Sequence, residues 1–198
     1  MLHEEHLYSI ALRATPLIGD VNFMRLVEIT GSAKETWHLS KKLLKEIPGI
    51  GSKITKEIGN EKYLKFAEKE IDFCEKNSIK INLRHLKELP KLLSNCDDAP
   101  AILYQKGSLD ESLTPISIVG TRNMTSYGKH FIEEFLEILK NKKVLIVSGL
   151  ALGTDGCAHT EALKNQLKTA GVLAHGLHLI YPSQHKKLAA EILDQDGA

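Results

Sequence analysis

Three neighbouring residues carry the clearest chemical signal in the chain: Gly120, Thr121 and Arg122, which directly follow Ile116-Ser117-Ile118-Val119. Glycine frees backbone amides for close approach and threonine adds a hydroxyl. Arginine offers a planar fork of donors that matches a phosphate. Tyr127-Gly128-Lys129 then leads into a helical pattern. A second loop repeats the logic after Val144–Val147, with Ser148, Gly149 and Gly153 as small residues ahead of Thr154-Asp155. Lys168, just before a third apolar run, is expected to bring another cation to the same edge. Such a set suits the binding of phosphates.

No catalytic constellation accompanies it. Asp155 falls where a helix should start, a position that favours capping or loop bracing. His159 has no nucleophile paired with it by spacing, so it reads as a packed, hydrogen-bonded histidine. His175, His178 and His185 match no zinc-ligand spacing, and no metal is expected. Neither G-x-G-x-x-G nor G-x-x-x-x-G-K-[ST] occurs, which disfavours a dinucleotide or ATP cofactor.

A further candidate lies upstream. Leu44-Lys45-Glu46-Ile47-Pro48-Gly49-Ile50-Gly51-Ser52-Lys53-Ile54 has the form of a helix-hairpin-helix. Its amides at the start of the next helix, with Lys53 as a direct cation, suit a phosphate oxygen. Pro16-Leu17-Ile18-Gly19 repeats the turn 32 residues earlier, with Leu17 in place of the first glycine. Two readings stand: contact with DNA, or a compact scaffold.

These residues need two kinds of frame. Residues 1–78 read as helices: stripes at Leu7, Ile10 and Ala11, then at Val21, Met24 and Val27 up to Gly31. Short helices follow at Ala33–His38 and Lys41–Glu46, one through Ile54 and Ile58, and a longer one through Tyr63–Cys74. From residue 79 the pattern changes. Ile79–Leu83 alternates as a strand does, and Ala101–Tyr104 is a short apolar run. Ile116–Val119, Val144–Val147 and Ala170–Leu173 are separated by helical stretches at Phe131–Leu139 and Ala158–Leu167, and Ser183–Leu193 adds another helix. Alternation of this kind predicts an α/β fold, a Rossmann-like parallel sheet with flanking helices. The expected domains are a helical tandem-hairpin domain, 1–78, and a Rossmann-like domain, 79–198.

Composition sets the outer limits. The 198 residues hold 26 Lys and Arg against 25 Asp and Glu, a net +1, with 42% hydrophobic residues. That is an ordinary globular balance and excludes a polycation or a disordered tail. The first 95 residues carry 16 basic and 13 acidic groups, the rest 10 and 12, so nucleic acid would be held by a few placed cations. Cys74, Cys96 and Cys157 are odd in number and lack a C-x-x-C pair, as expected of thiols in a reducing cytoplasm. The acidic start Met1–Glu5 lacks a charged-then-apolar leader, so no signal peptide is expected, and no apolar run approaches the ~20 residues of a membrane span.

The sequence resembles the DNA-processing protein A family, also called Smf. The resembling residues are Ser117–Arg122, Ser148-Gly149-Leu150-Ala151-x-Gly153-x-Asp155-x-x-Ala158-His159, Lys168–Leu173, Gly176-Leu177 and Tyr181-Pro182. The match covers about residues 80–198, and the helical region resembles the family's sterile-alpha-motif-like or hairpin domain. The resemblance implies non-catalytic binding of single-stranded DNA without sequence preference, homodimerisation of the full-length protein, and loading of the RecA recombinase in natural transformation, or competence. It implies DNA contacts at Gly120, Thr121 and Arg122, with Lys168, Ser148, Gly149 and Gly153 lining the same edge. Two departures stand out. Gly176-Leu177-His178 replaces the usual Gly-Leu-Asp, and the chain stops at Gly197-Ala198 before a further strand and an asparagine–arginine-rich segment, so a truncated domain is expected.

Two rival functions remain at this level. One is a nucleotide-processing enzyme of the lysine-decarboxylase-like phosphoribohydrolase group, whose Pro-Gly-Gly-x-Gly-Thr segment is absent here. The other is a protein-interaction scaffold in which hairpin and loops only pack.

Overall fold

The computed structural model describes residues 2–198, and side chains from Glu4 onward; Met1, where the leader reading begins, lies outside the described residues. The chain forms two compact units, residues 1–105 and 106–198.

The first unit begins with six helices: α1 (Leu2–Ala14), α2 (Asp20–Thr30), α3 (Ala33–His38), α4 (Lys41–Glu46), α5 (Ser52–Glu57) and α6 (Glu61–Lys76). Local chemistry sets their ends. Ser32 and Ser40 accept the amides of Glu35 and Leu43 as N-caps, and Gly31 closes α2 at φ 94°. Leu12, Ile18, Phe23, Leu26, Leu44 and Ile58 are fully buried and form one core with Trp37. Each such side chain contributes about 1.5–3 kcal/mol by leaving water.

The 32-residue echo is geometric as well as sequential. The Ile18 amide donates to Thr15 O at 3.1 Å, and the Ile50 amide to Ile47 O at 3.1 Å. Gly19 and Gly51 are extended N-caps, both at φ −80°. Leu17 adopts the left-handed conformation of its counterpart Gly49, at φ 67° against 83°.

Strands begin at residue 79 as expected, but the units part after Gln105 rather than near residue 78. The reason is packing. β1 (Ile79–Leu83) and β2 (Ile102–Lys106) form their own two-stranded sheet, joined through a 3-10 turn and the short α7 (Lys91–Ser94). Ala101 is buried in the helical core, and Ile81 and Ile102 pack against it.

The second unit is a three-stranded parallel sheet in the order β3 (Thr114–Ser117), β4 (Val144–Ser148), β5 (Lys168–Gly171). α8 (Ser126–Ile138) and α9 (Thr154–Lys164) are the crossovers, and α10 (Lys186–Asp194) follows a 3-10 turn at Ser183–His185. Ile132, Leu136, Ile146, Ala158, Ala162 and Leu167 make one core. Leu150, Leu163, Leu188 and Ile192 make a second. β3 and β5 start two residues earlier than their apolar runs suggest. Pairing enlists polar residues such as Thr114 and Lys168, while Val119 and Val172 lie beyond the strands and are exposed.

Candidate functional site

Both glycine-rich loops emerge at the carboxyl edge of the parallel sheet, where folds of this kind bind ligands. Ser148 ends β4 and is buried; its hydroxyl donates to Ile118 O at 2.6 Å and ties the root of one loop to the other. The Ile118 amide donates to Val147 O at 2.9 Å, and pairing stops there. From that point residues 119–123 run exposed to the N-cap of α8, Thr125, whose hydroxyl accepts the Gly128 amide.

The second loop supports the first from beneath. Thr154 donates to Thr121 O from both its amide, at 3.1 Å, and its hydroxyl, at 3.2 Å. A Cβ on Gly120 would meet Thr154 Oγ1 at 2.6 Å, and one on Gly153 would collide with the carbonyl oxygens of Thr121 and Arg122. Gly153 also sits at φ 78°, where a side chain is strained. A Cβ on Gly149 would meet Asp155 Oδ2 at 2.7 Å, the oxygen that accepts the Ala151 amide. Asp155 is thus a loop brace. These small residues bring the two loops together, and the approach they allow is made by protein.

What faces outward is the segment they hold. Among the described residues, the amides of Val119, Gly120, Thr121 and Arg122 donate to no protein acceptor. The Thr121 hydroxyl accepts the Asn123 amide at 3.1 Å and shapes the turn. Arg122 is exposed and forms no ion pair or hydrogen bond among the described residues. Successive free amides with a free guanidinium are a set of donors suited to an anion. Val119 and Tyr127, neither singled out as a site residue from sequence, flank it with 79% and 78% exposure.

Lys168 does not join this edge. It pairs in register with Leu145 at the start of β5, three residues before Gly171, which places it about 10 Å away at the amino edge. A lysine preceding an apolar run marks the entry of a strand, whereas ligand loops leave at its exit. Lys53 is exposed on α5, in the other compact unit. The turn before it is occupied: Arg25 Nη1 donates to Pro48 O at 3.1 Å, and a Cβ on Gly49 would run into that guanidinium.

His159 is fully buried. Thr169 Oγ1 donates to Ile146 O at 2.8 Å, which leaves its lone pair to accept the Nδ1–H of His159 at 2.7 Å. The imidazole therefore joins α9 to β5 and β4. Burial pushes its pKa down to about 4; nearby Asp155 opposes this and His185 adds to it. A ring so placed is neutral at pH 7 and is turned toward the sheet. Among the described residues, no three His, Cys, Asp or Glu side chains converge as a metal site would require. No helix among them is long and apolar enough to cross a membrane.

Residues 80–198 match the family model described as DNA recombination-mediator protein A. Protein Smf of Synechocystis sp. is 32% identical over 202 residues, covering 97% of this chain and 50% of that protein. DNA processing protein DprA of Bacillus subtilis is 40% identical over 105 residues, covering 52% of this chain and 35% of that protein. The X-ray structure of DNA processing protein A from Streptococcus pneumoniae superposes with a TM-score of 0.69 at 26% identity, over 94% of this chain and 64% of that one. The chain spans half or less of the length of these curated relatives.

Proposed function

The chain belongs to the DNA recombination-mediator protein A family, and from that premise we propose that it binds single-stranded DNA through the Gly120–Arg122 loop. One observation carries the reading: four consecutive exposed residues whose amides have no protein acceptor, the last of them an arginine with an unpaired side chain, stand at the carboxyl edge of the sheet. Contacts to phosphate alone tolerate any base sequence and weaken as salt rises. In this reading Thr121 and Gly120 shape the loop, Arg122 supplies the charge, and Ser148, Gly149 and Gly153 hold it from below. Lys168, at the amino edge of the sheet, contributes at most to the wider field, and Lys53 would make a separate phosphate contact from the helical unit.

The proposed role is binding without bond chemistry, in the cytoplasm, as a homodimer of the whole protein that loads the RecA recombinase onto incoming strands in natural transformation. The buried, neutral His159 supports a non-catalytic reading, because the ring is committed to Thr169. The deciding experiment is fluorescence anisotropy with a labelled single-stranded oligonucleotide across a salt series, compared with duplex. Arg122→Ala should lose one charge-assisted contact, about 1.5–3 kcal/mol or roughly 10- to 150-fold in affinity. It should also flatten the salt dependence by about 0.7 in log–log slope. Unchanged affinity in that variant would remove the loop from the function.

A further inference from the structure

α8 has two apolar faces, and the fold uses only one. Ile132 and Leu136 are buried in the core of the second unit. Tyr127, Phe131 and Ile138 fall within about 40° of each other around the helix axis. They point away from that core and are 78%, 56% and 73% exposed. Charge is uneven along the helix. Glu133, Glu134 and Glu137 line the later turns, with Glu134 3.2 Å from His130 and Glu133 3.7 Å from Lys129. Arg122 and the free loop amides lie at the other end, ahead of the first turn. The donors that could meet a phosphate, Arg122 and the loop amides, therefore lie at the start of α8.

Tyr127 is the aromatic at that start. It lies five residues beyond Arg122, it fills no core, and its hydroxyl has no partner among the described residues. A large ring with no folding role, beside a phosphate-binding loop, has the properties of a stacking surface. Any base can use it, because every base has a π-face. We propose that Tyr127 is the platform on which a nucleobase stacks when its backbone phosphate is held at Gly120–Arg122. This rests on the single-strand-binding reading above and adds a base contact to it. It also predicts a preference for single strands, since a paired base cannot turn its face to the ring.

The test compares wild type, Tyr127→Ala and Tyr127→Phe on two ligands: a single-stranded oligonucleotide, and an abasic strand of the same length and charge. Tyr127→Ala should lose about 5- to 150-fold affinity for the base-bearing strand, the range found for one stacked base. It should keep the wild-type salt slope and bind the abasic strand as wild type does. Tyr127→Phe, which keeps the ring, should restore binding. Equal affinity of wild type and Tyr127→Ala for the base-bearing strand would overturn the proposal. So would a loss that is equal on both ligands, or a change in oligomeric state with DNA affinity intact, which would mark the stripe as a protein-docking face. Failure of wild type to bind either strand would bring down the DNA-binding reading itself and this proposal with it.

Discussion

Acid should loosen the second unit long before its carboxylates titrate, because of one histidine. His159 is fully buried, and its pKa is pushed from 6.5 down to about 4. In the unfolded chain the ring takes up a proton near pH 6.5; in the folded unit it stays neutral until about pH 4. Between those values the unfolded state binds more protons, so stability falls as pH drops through this window and levels off below it. The full shift of about 2.5 pH units corresponds to about 3 kcal/mol, of which about 2 kcal/mol is lost between pH 7 and pH 5. Native-state hydrogen exchange, read as protection factors on β4, β5 and α9, isolates this unit from the helical one. His159→Asn keeps a donor toward Thr169 but cannot take up the proton. Its loss of protection between pH 7 and pH 5 should be smaller than wild type's by about 2 kcal/mol. The same pH dependence in the variant as in wild type, or an NMR titration in which His159 protonates near 6.5, would refute this role for the histidine.

Three further substitutions perturb other parts of the molecule. Gly153→Ala puts a Cβ into the Thr121 and Arg122 carbonyls at a left-handed φ, and should cost at least about 2 kcal/mol in thermal unfolding while weakening DNA binding. Leu17→Gly relieves an exposed left-handed leucine; less the entropy of glycine, it should stabilise the helical unit by about 0.5–1 kcal/mol in urea unfolding. Glu5 caps α3 by accepting the Ala33 and Lys34 amides and also meets His85 at 2.7 Å. Burial alone would raise its pKa, but these hydrogen bonds outweigh burial and lower it. Its contribution is present above the ordinary glutamate range and lost as pH falls through the lowered value. Glu5→Gln should therefore make the helical unit less stable at pH 7 and less sensitive to acid, as followed by circular dichroism.

Much of the frame could be read from pattern because local rules wrote it. Ser40 could be recognised as an N-cap, Gly31 as a stop and Ile79–Leu83 as a strand, since each depends on nearest neighbours. His159 could be read as a packed histidine and Asp155 as a brace by the same logic. The edge that Lys168 joins is not legible in the sequence, because an apolar run shows that a strand exists without showing where pairing starts. Register with Leu145 puts the lysine at the strand's entry. Tyr127 does not stand out as a site residue, because an aromatic at helical spacing looks the same from sequence whether it faces a core or solvent.

The sequence by itself determined the order of helices and strands, the echo of two hairpins and the loop of glycine, hydroxyl and guanidinium. Those depend on backbone propensities and on spacings within a few residues. Only the tertiary structure decided what each small residue is for. Gly49 makes room for Arg25, Gly153 makes room for two carbonyls, and Ser148 spends its hydroxyl on Ile118. Arg122 alone among the cations predicted for the sheet keeps its charge unpaired at the ligand edge. A glycine or a cation declares only what it permits; which neighbour takes up the offer depends on contacts between residues distant in the chain.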